Sequence, residues 1–310
     1  MDRVDLKVGF SCNSRCTFCV QGDKRFVHRD KGPEELKRVL RENYGRGIRE
    51  VVFTGGECTI RHDILGLVAY ARCLGYRIIQ IQTNGRRFCY PEFCRAMVDA
   101  GATEFSPSIH GSCPEIHDAM TQAPGSFSQV VQGIRNLKEL GQRVMTNTVV
   151  TKQNCRDLPR LAKLLVDLDV DQFQFAFVHI LGSAAKNKMS VVPRKSEAMP
   201  YIKEGLDIGR KAGKIVMTEA IPYCFMQGYE DCIAERIIPH TRVEDAAWVV
   251  EDYTAYRTTE GKVKSEHCRE CRYFRVCEGP WKEYPELYGW EEFVPVHAGA
   301  DDGYVQMRRV

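Results

Sequence analysis

Three cysteines fall within eight positions in "FSCNSRCTFC", residues 10–19. Three residues separate Cys12 from Cys16 and two separate Cys16 from Cys19. The segment is too short to fold around them by itself, and three thiols cannot all pair with one another. A metal centre is the chemistry that suits such a set. Structural zinc takes four ligands, usually with paired C-x2-C spacing, and no fourth ligand is near. Three thiolates can instead hold three irons of a [4Fe–4S] cube and leave the fourth iron open. An open iron needs an external ligand, and a chelating α-amino acid would suit it.

A second triplet lies far along the chain, as Cys268-x2-Cys271-x5-Cys277 in "CRECRYFRVC". Fourteen cysteines in 310 residues are many for a reducing compartment, where metal binding or catalysis explains clustered thiols better than disulfides do. The other eight are Cys58, Cys73, Cys89, Cys94, Cys113, Cys155, Cys224 and Cys232. Most of these read as small buried hydrophobes.

The elements that must position the thiols alternate along the chain. Short β-branched or aromatic runs occur at 4–10, 50–54, 77–82, 103–109, 143–150 and 172–179. Stretches of helical period fall between them at 33–45, 63–74, 91–100, 126–140 and 157–168, as with Leu36, Val39 and Leu40. Six strand–helix units imply a parallel sheet with right-handed crossovers. The economical α/β architecture is a partial (βα)6 TIM-like barrel with its chemistry on the loops that leave the strand C-termini. After residue 182 the pattern gives a loop, a helix at 196–212 and a strand at 214–218. From 220 onward come short strands, turns and cysteines, with a hairpin expected across 248–265 around "TTEG". The resulting division is a core over 1–219 and a small α+β extension over 220–310.

C-x3-C-x-F-C after the first strand of such a barrel resembles the radical S-adenosylmethionine (SAM) enzymes. Phe18 falls on that family's aromatic position beside cluster and adenine. The second strand ends "VVFTGGE", and in the family this segment meets the amino group of SAM. Gly55 and Gly56 would let backbone approach a ligand closely, and Glu57 supplies a carboxylate. "QTNG" places Thr83 and Asn84 on a turn that such enzymes often carry. Ser108 in "SPSIHG" resembles the hydroxyl that meets the SAM ribose, and Asn147 in "TNTVV" a polar ribose or carboxylate contact. The resemblance covers residues 4–180 in order. It implies a [4Fe–4S] cluster on Cys12, Cys16 and Cys19, SAM as co-substrate, and a flavodoxin- or ferredoxin-type reductant. His110 and Cys113, on the loop after strand four, are candidates for acid–base or hydrogen-atom chemistry; local support of the SAM site is the alternative.

The rear triplet with an upstream cysteine resembles the SPASM and Twitch extensions, which bind auxiliary [4Fe–4S] clusters. No cysteine follows Cys277, so the pattern fits the single-cluster Twitch type. Cys224, just after a strand and stiffened by Pro222, is favoured over Cys232 as fourth ligand. Zinc on the same four thiols is the alternative. Because strand one begins the chain, no N-terminal peptide-recognition domain is expected, which favours a small-molecule substrate over a peptide. A net charge of +3 with interleaved signs argues neither for nor against nucleic acid, and no clear nucleic-acid site stands out. No apolar run is long enough to span a bilayer and "MDRVDLK" is no signal peptide, so the expected location is the cytoplasm. A non-catalytic iron–sulfur carrier or zinc scaffold is the hypothesis from another class.

Overall fold

Along the first strand, Val4 and Leu6 are buried while Arg3, Asp5 and Lys7 are half-buried (β1, Arg3–Lys7). That period of two sends apolar side chains outward to a helical layer and polar ones into the lumen of a curved sheet. The computed structural model describes residues 1–246 and 248–297. The unit repeats through α1 (Pro33–Gly45), β2 (Glu50–Thr54), α2 (Ile64–Leu74), β3 (Ile78–Thr83) and α3 (Pro91–Ala100). It continues through β4 (Glu104–Pro107), α4 (Pro114–Thr121), α5 (Ser126–Glu139), β5 (Arg143–Val150), α6 (Leu158–Asp167) and β6 (Gln172–Phe177). The last unit is α7 (Lys195–Lys211) followed by β7 (Ile215–Glu219).

Helix α1 shows why these segments are helical. Pro33 sits in the first turn, where its missing N–H is not needed, with Glu34 and Glu35 beside the positive helix end. Leu36, Val39 and Leu40 are buried on one face. Proline opens α3 and α4 in the same way.

The sheet runs β7-β6-β5-β4-β3-β2-β1, with every neighbour parallel. This is the expected parallel α/β barrel, extended beyond its six core strands. Two further strands come from the C-terminal stretch. β8 (Thr241–Glu244) lies parallel beside β1, and β9 (Val249–Val250) pairs antiparallel with β8. β8 reads "TRVE" and is buried despite its charges. Asn43 of α1 donates to Glu244 Oε1 at 3.0 Å and Arg242 Nε to the same oxygen at 2.9 Å. Asn43 lies far away in sequence, and the strand carries no apolar signature of its own.

The hairpin expected across 248–265 is corrected. Tyr253–Tyr256 is helical and continues as a single wide turn over Arg257–Gly261, while Lys262 bridges to Trp281. Asp252 caps the segment by accepting the Ala255 N–H at 3.0 Å. The Thr258 and Thr259 hydroxyls donate back to Thr254 O and Ala255 O at 3.0 and 2.8 Å, which satisfies helical carbonyls that a hairpin would turn outward. Of the C-terminal tail, residues 298–310 lie outside the described residues. No helix among the described residues is long and apolar enough to cross a membrane.

Between sheet and helices the core is aromatic at β4. Phe105 is fully buried and meets Phe88 edge-on at 5.3 Å between ring centroids. Phe105→Ala should cost about 3–5 kcal/mol of stability, as large aromatic-to-alanine core changes do. Denaturant unfolding would measure this, and a loss under about 1 kcal/mol would show that the layer repacks freely.

Candidate active site

The loop after β1 carries Cys12, Cys16 and Cys19, all half-buried. Its backbone is tied down along its length. Arg15 and Thr17 donate their N–H groups to Thr121 O and Met120 O at the end of α4, at 2.9 and 3.0 Å. Cys19 O accepts from Ser183 N–H at 2.8 Å. Arg25 clasps both sides, donating to Ser14 O at 2.9 Å and Gly22 O at 3.2 Å. The Ser14 N–H points at Cys12 Sγ, 3.4 Å away. Burial pushes the Cys16 thiol well up, and the neighbouring Cys19 and Cys12 push it further. Three thiols that oppose one another's ionisation, beside an N–H aimed at sulfur, are suited to a cationic centre that would hold them as thiolates.

The glycines after β2 face this loop. Gly56 and Glu57 donate their N–H groups to Gly9 O at 2.8 Å and Ser11 O at 2.9 Å. A Cβ on Gly55 would lie 2.2 Å from Gly9 O, and one on Gly56 2.3 Å from Ser11 O. Gly55 also has φ +130°. The pair therefore admits the backbone of the cysteine loop itself, not only a ligand.

The Glu57 carboxylate, expected to face SAM, is also held by donors of the protein itself. Glu57 is 2% exposed. Its Oε1 accepts from Thr59 N–H at 3.0 Å, Thr59 Oγ1 at 2.6 Å and Thr83 Oγ1 at 2.7 Å. Its Oε2 accepts the Asn84 N–H at 2.6 Å. The carboxylate thus joins the turns after β2 and β3. Asn84 then reaches back to Asn13 Oδ1 at 2.6 Å, and Arg86 donates to Asn13 O.

Phe18 is buried and meets His110 edge-on at 4.7 Å. His110 stacks on His117 at 5.7 Å, and its Nδ1 accepts the Val149 N–H at 3.2 Å. His117 Nδ1 accepts the His110 N–H at 3.0 Å. Burial holds His110 well below the usual imidazole range and His117 down to about 4. His110 thus packs against Phe18 with its Nδ1 already engaged as an acceptor. Cys113 sits at the N-cap of α4. Just past the end of β4, Ser108 lies in register with Asn147 on β5 and Gln174 on β6. Asn147 Oδ1 is buried without a hydrogen-bond partner, an acceptor that a ligand could satisfy.

Cys224, Cys268, Cys271 and Cys277 line one small cavity of about 30 Å³, with Pro222, Phe274, Pro280 and Lys264 among its walls. The N–H groups of Gly279 and Val296 point at Cys277 Sγ and Cys271 Sγ, each at 3.4 Å. Burial, then Cys277, Cys271 and Cys268, push the Cys224 thiol up to about 12. Cys232 stands elsewhere, 1% exposed, with Arg210 Nη2 3.2 Å from its sulfur. Among the described residues no three His, Cys, Asp or Glu side chains converge on one ion-sized point. Above this region Trp281 stacks on His179 at 3.9 Å and Tyr284 meets Phe177 edge-on at 5.5 Å, packing the aromatic tail on the barrel rim.

Sequence reasoning missed the charged network beside β7. Arg257 binds Glu278 with Nε and Nη2 at 3.0 and 2.9 Å, and Lys262 joins Glu278 to Glu235 at 2.8 and 2.7 Å. The one signal was the polar alternation of strands such as "IIQIQT" and "QFQFAF", which implies a polar lumen. Glu57→Gln tests the tie described above. It sets an amide N–H₂ or a lost bond against a buried cluster of donors, and should cost about 1.5–3 kcal/mol of stability. Thermal unfolding checks it, and an unchanged midpoint would mean the carboxylate holds nothing together.

The match to known proteins follows this geometry. The family model of the radical SAM superfamily matches residues 6–165. The chain is 29% identical over 182 residues to a probable GTP 3',8-cyclase of Metallosphaera sedula, covering 57% of this chain and 56% of that protein. It is 30% identical over 198 residues to a PqqA peptide cyclase of Rhodopseudomonas palustris, covering 61% and 50% respectively. These matches span about half the length of the curated relatives. Among solved structures, anSMEcpe with bound AdoMet superposes with a TM-score of 0.68 at 16% identity, over 91% of this chain and 89% of that one. SuiB of Streptococcus suis bound to S-adenosylmethionine gives 0.64 at 15% identity, over 90% and 72%. With that family model spanning more than half of the 310 residues on a parallel barrel of the same fold, the chain belongs to the radical SAM superfamily.

Proposed function

We propose that the chain binds a [4Fe–4S] cluster on Cys12, Cys16 and Cys19 together with SAM, and acts on a small-molecule substrate with the help of one auxiliary cluster. When bound and reduced, cluster and SAM supply reductive cleavage to methionine and a 5′-deoxyadenosyl radical, which abstracts hydrogen from substrate. The protein's own residues bind, orient and exclude water. Arg25 and the α4 end fix the thiol loop; the Gly55–Gly56 backbone sits against it; Phe18, Gly55, Gly56, Glu57, Thr83, Asn84, Ser108 and Asn147 are the residues we assign to SAM. The external reductant we propose is of the flavodoxin or ferredoxin type.

The observation that carries the second cluster is the cavity ringed by four thiols, Cys224, Cys268, Cys271 and Cys277. Four thiolates on one zinc ion, at Zn–S of about 2.3 Å, must converge on a point, whereas a cube holds its thiolates further apart at its corners. Spread thiols with N–H groups aimed at sulfur favour the cube. We therefore read residues 220–310 as a Twitch-type extension of a core over 1–219. A peptide maturase is the second reading, favoured by the 30% identity to a PqqA peptide cyclase.

Anaerobically reconstituted protein should hold about eight irons per chain, as two cubes. Replacing Cys12, Cys16 and Cys19 together with alanine should remove about half of that iron. Zinc in the rear site would sink the two-cluster reading. Cys224→Ala should perturb the Mössbauer spectrum of the second cluster while Cys232→Ala leaves it unchanged; the reverse result would exchange the ligands.

Reduced protein should also convert SAM to 5′-deoxyadenosine and methionine, slowly even without substrate. If iron-replete, dithionite-reduced protein yields no 5′-deoxyadenosine by chromatography, the carrier or scaffold reading takes its place.

A further inference from the structure

The free edge of β7, where the sheet meets the C-terminal segment, holds polar groups that the SAM site does not use. Glu219 ends β7, half-buried, with Gln174 Nε2 donating to its Oε2 at 2.8 Å. Around it the charges are matched: Lys7 with Asp5, and Arg257 and Lys262 with Glu278 and Glu235. Glu219 is the carboxylate left over; among the described residues no cation lies within ion-pair distance of it. Deep surroundings, then Glu235, hold its carboxyl above the usual range, while Lys262 and Arg257 act the other way at longer reach.

Independent atoms near the same edge lack partners. Arg257 is 1% exposed, yet its Nη1 has no acceptor. Glu235 Oε2, Asp5 Oδ1 and Thr254 Oγ1 are likewise buried and unpaired. The Arg257 guanidinium lies 5.2 Å from the Tyr253 ring centre. Tyr253 in turn feels both Glu219 and Asp5, so these groups share one neighbourhood. Leaving a buried guanidinium donor and carboxylate oxygens unpaired costs free energy. A ligand carrying both a cation and an oxygen acceptor would relieve that cost.

We propose that this wall of the lumen binds an amino-acid-type group of the substrate, with Glu219 taking its ammonium and the free Nη1–H of Arg257 taking the neighbouring carbonyl or carboxylate oxygen. This deepens the radical SAM reading above and rests on it for the lumen as reaction chamber. The shared chemistry is an ammonium beside a carbon–oxygen group, found in a free amino acid and at a peptide N-terminus. Glu219 and Arg257 are binding residues here; no proton or electron is moved by them.

The test uses the full reconstituted chain with saturating SAM, so that a probe cannot occupy the place of SAM's own methionine. The probes are alanyl-alanine, N-acetyl-alanyl-alanine and L-alanine, with binding followed by saturation-transfer NMR. Wild type should bind alanyl-alanine at least about tenfold more tightly than the acetylated form, a factor that is modest for a charge-assisted contact. Glu219→Gln should abolish that preference, and Glu219→Asp should retain it at reduced strength. Tighter binding of L-alanine points to a free amino acid, and tighter binding of the dipeptide to a peptide end; either supports the site. Equal binding of the two dipeptides, no measurable binding of either, or an unchanged preference in Glu219→Gln overturns it. Circular dichroism confirms that each variant is folded. Iron content and SAM affinity of wild type are measured in the same preparations. Their failure would sink the radical SAM reading of the thiol loop, whereas failure of the amine preference alone would sink only this inference.

Discussion

A seam of backbone against backbone holds the candidate site together. The turn after β2 presses on the loop after β1 so closely that neither Gly55 nor Gly56 has room for a Cβ. Two N–H···O bonds close the seam. Fixing a loop residue costs about 1–2 kcal/mol of backbone entropy, and this loop has little apolar side-chain mass beyond Phe10 and Phe18 with which to offset that cost. The seam, the α4 carbonyls and Arg25 supply the ties. Glu57 extends the restraint to the turn after β3, and Asn84 returns it to Asn13. The three loops are thus one connected unit, and a change in any of them should be felt at the thiols.

Much of this was legible in the sequence because it is local. Strand and helix periods, the thiol spacing and the glycine pair are all patterns of near neighbours. What stayed hidden depends on partners far away in the chain. Glu57 could be seen as a carboxylate beside glycines, but not that Thr59, Thr83 and Asn84 would surround it. β8 could not be seen at all, since "TRVE" becomes a buried strand only when Asn43 meets Glu244. Nor could the sequence separate Cys224 from Cys232 except by the stiffness of Pro222. In space one faces the other rear thiols and the other faces Arg210.

The network of Arg257, Glu278, Lys262 and Glu235 has a different purpose from the apolar core. Buried ion pairs contribute little net stability once desolvation is counted, but removing one partner is costly. Such a network fixes geometry. It holds the turn at Arg257–Gly261 against the end of β7, where Glu235 also accepts the Ala220 N–H at 2.8 Å. That contact couples the barrel rim to the segment that carries the rear thiols, so the two thiol sites are mounted on one frame.

The distribution of unsatisfied groups follows from the same division of labour. On the helix-facing side most buried polar atoms are satisfied, with Asn43 Oδ1 and Thr146 Oγ1 as exceptions. On the inner face of the strands Asp5 and Asn147 each keep an atom without a partner, as do Glu235 and Arg257 in the C-terminal segment. A fold selected for stability alone would replace such atoms with apolar ones, since each costs about 1–3 kcal/mol. The outer layer obeys that logic, with Val4, Leu6, Val51, Phe53, Ile79 and Ile81 all buried against helices. The inner layer departs from it on alternate residues of the same strands. One period-two pattern therefore carries both tasks: one face of each strand builds a core, and the other keeps polar groups poised for what enters the barrel.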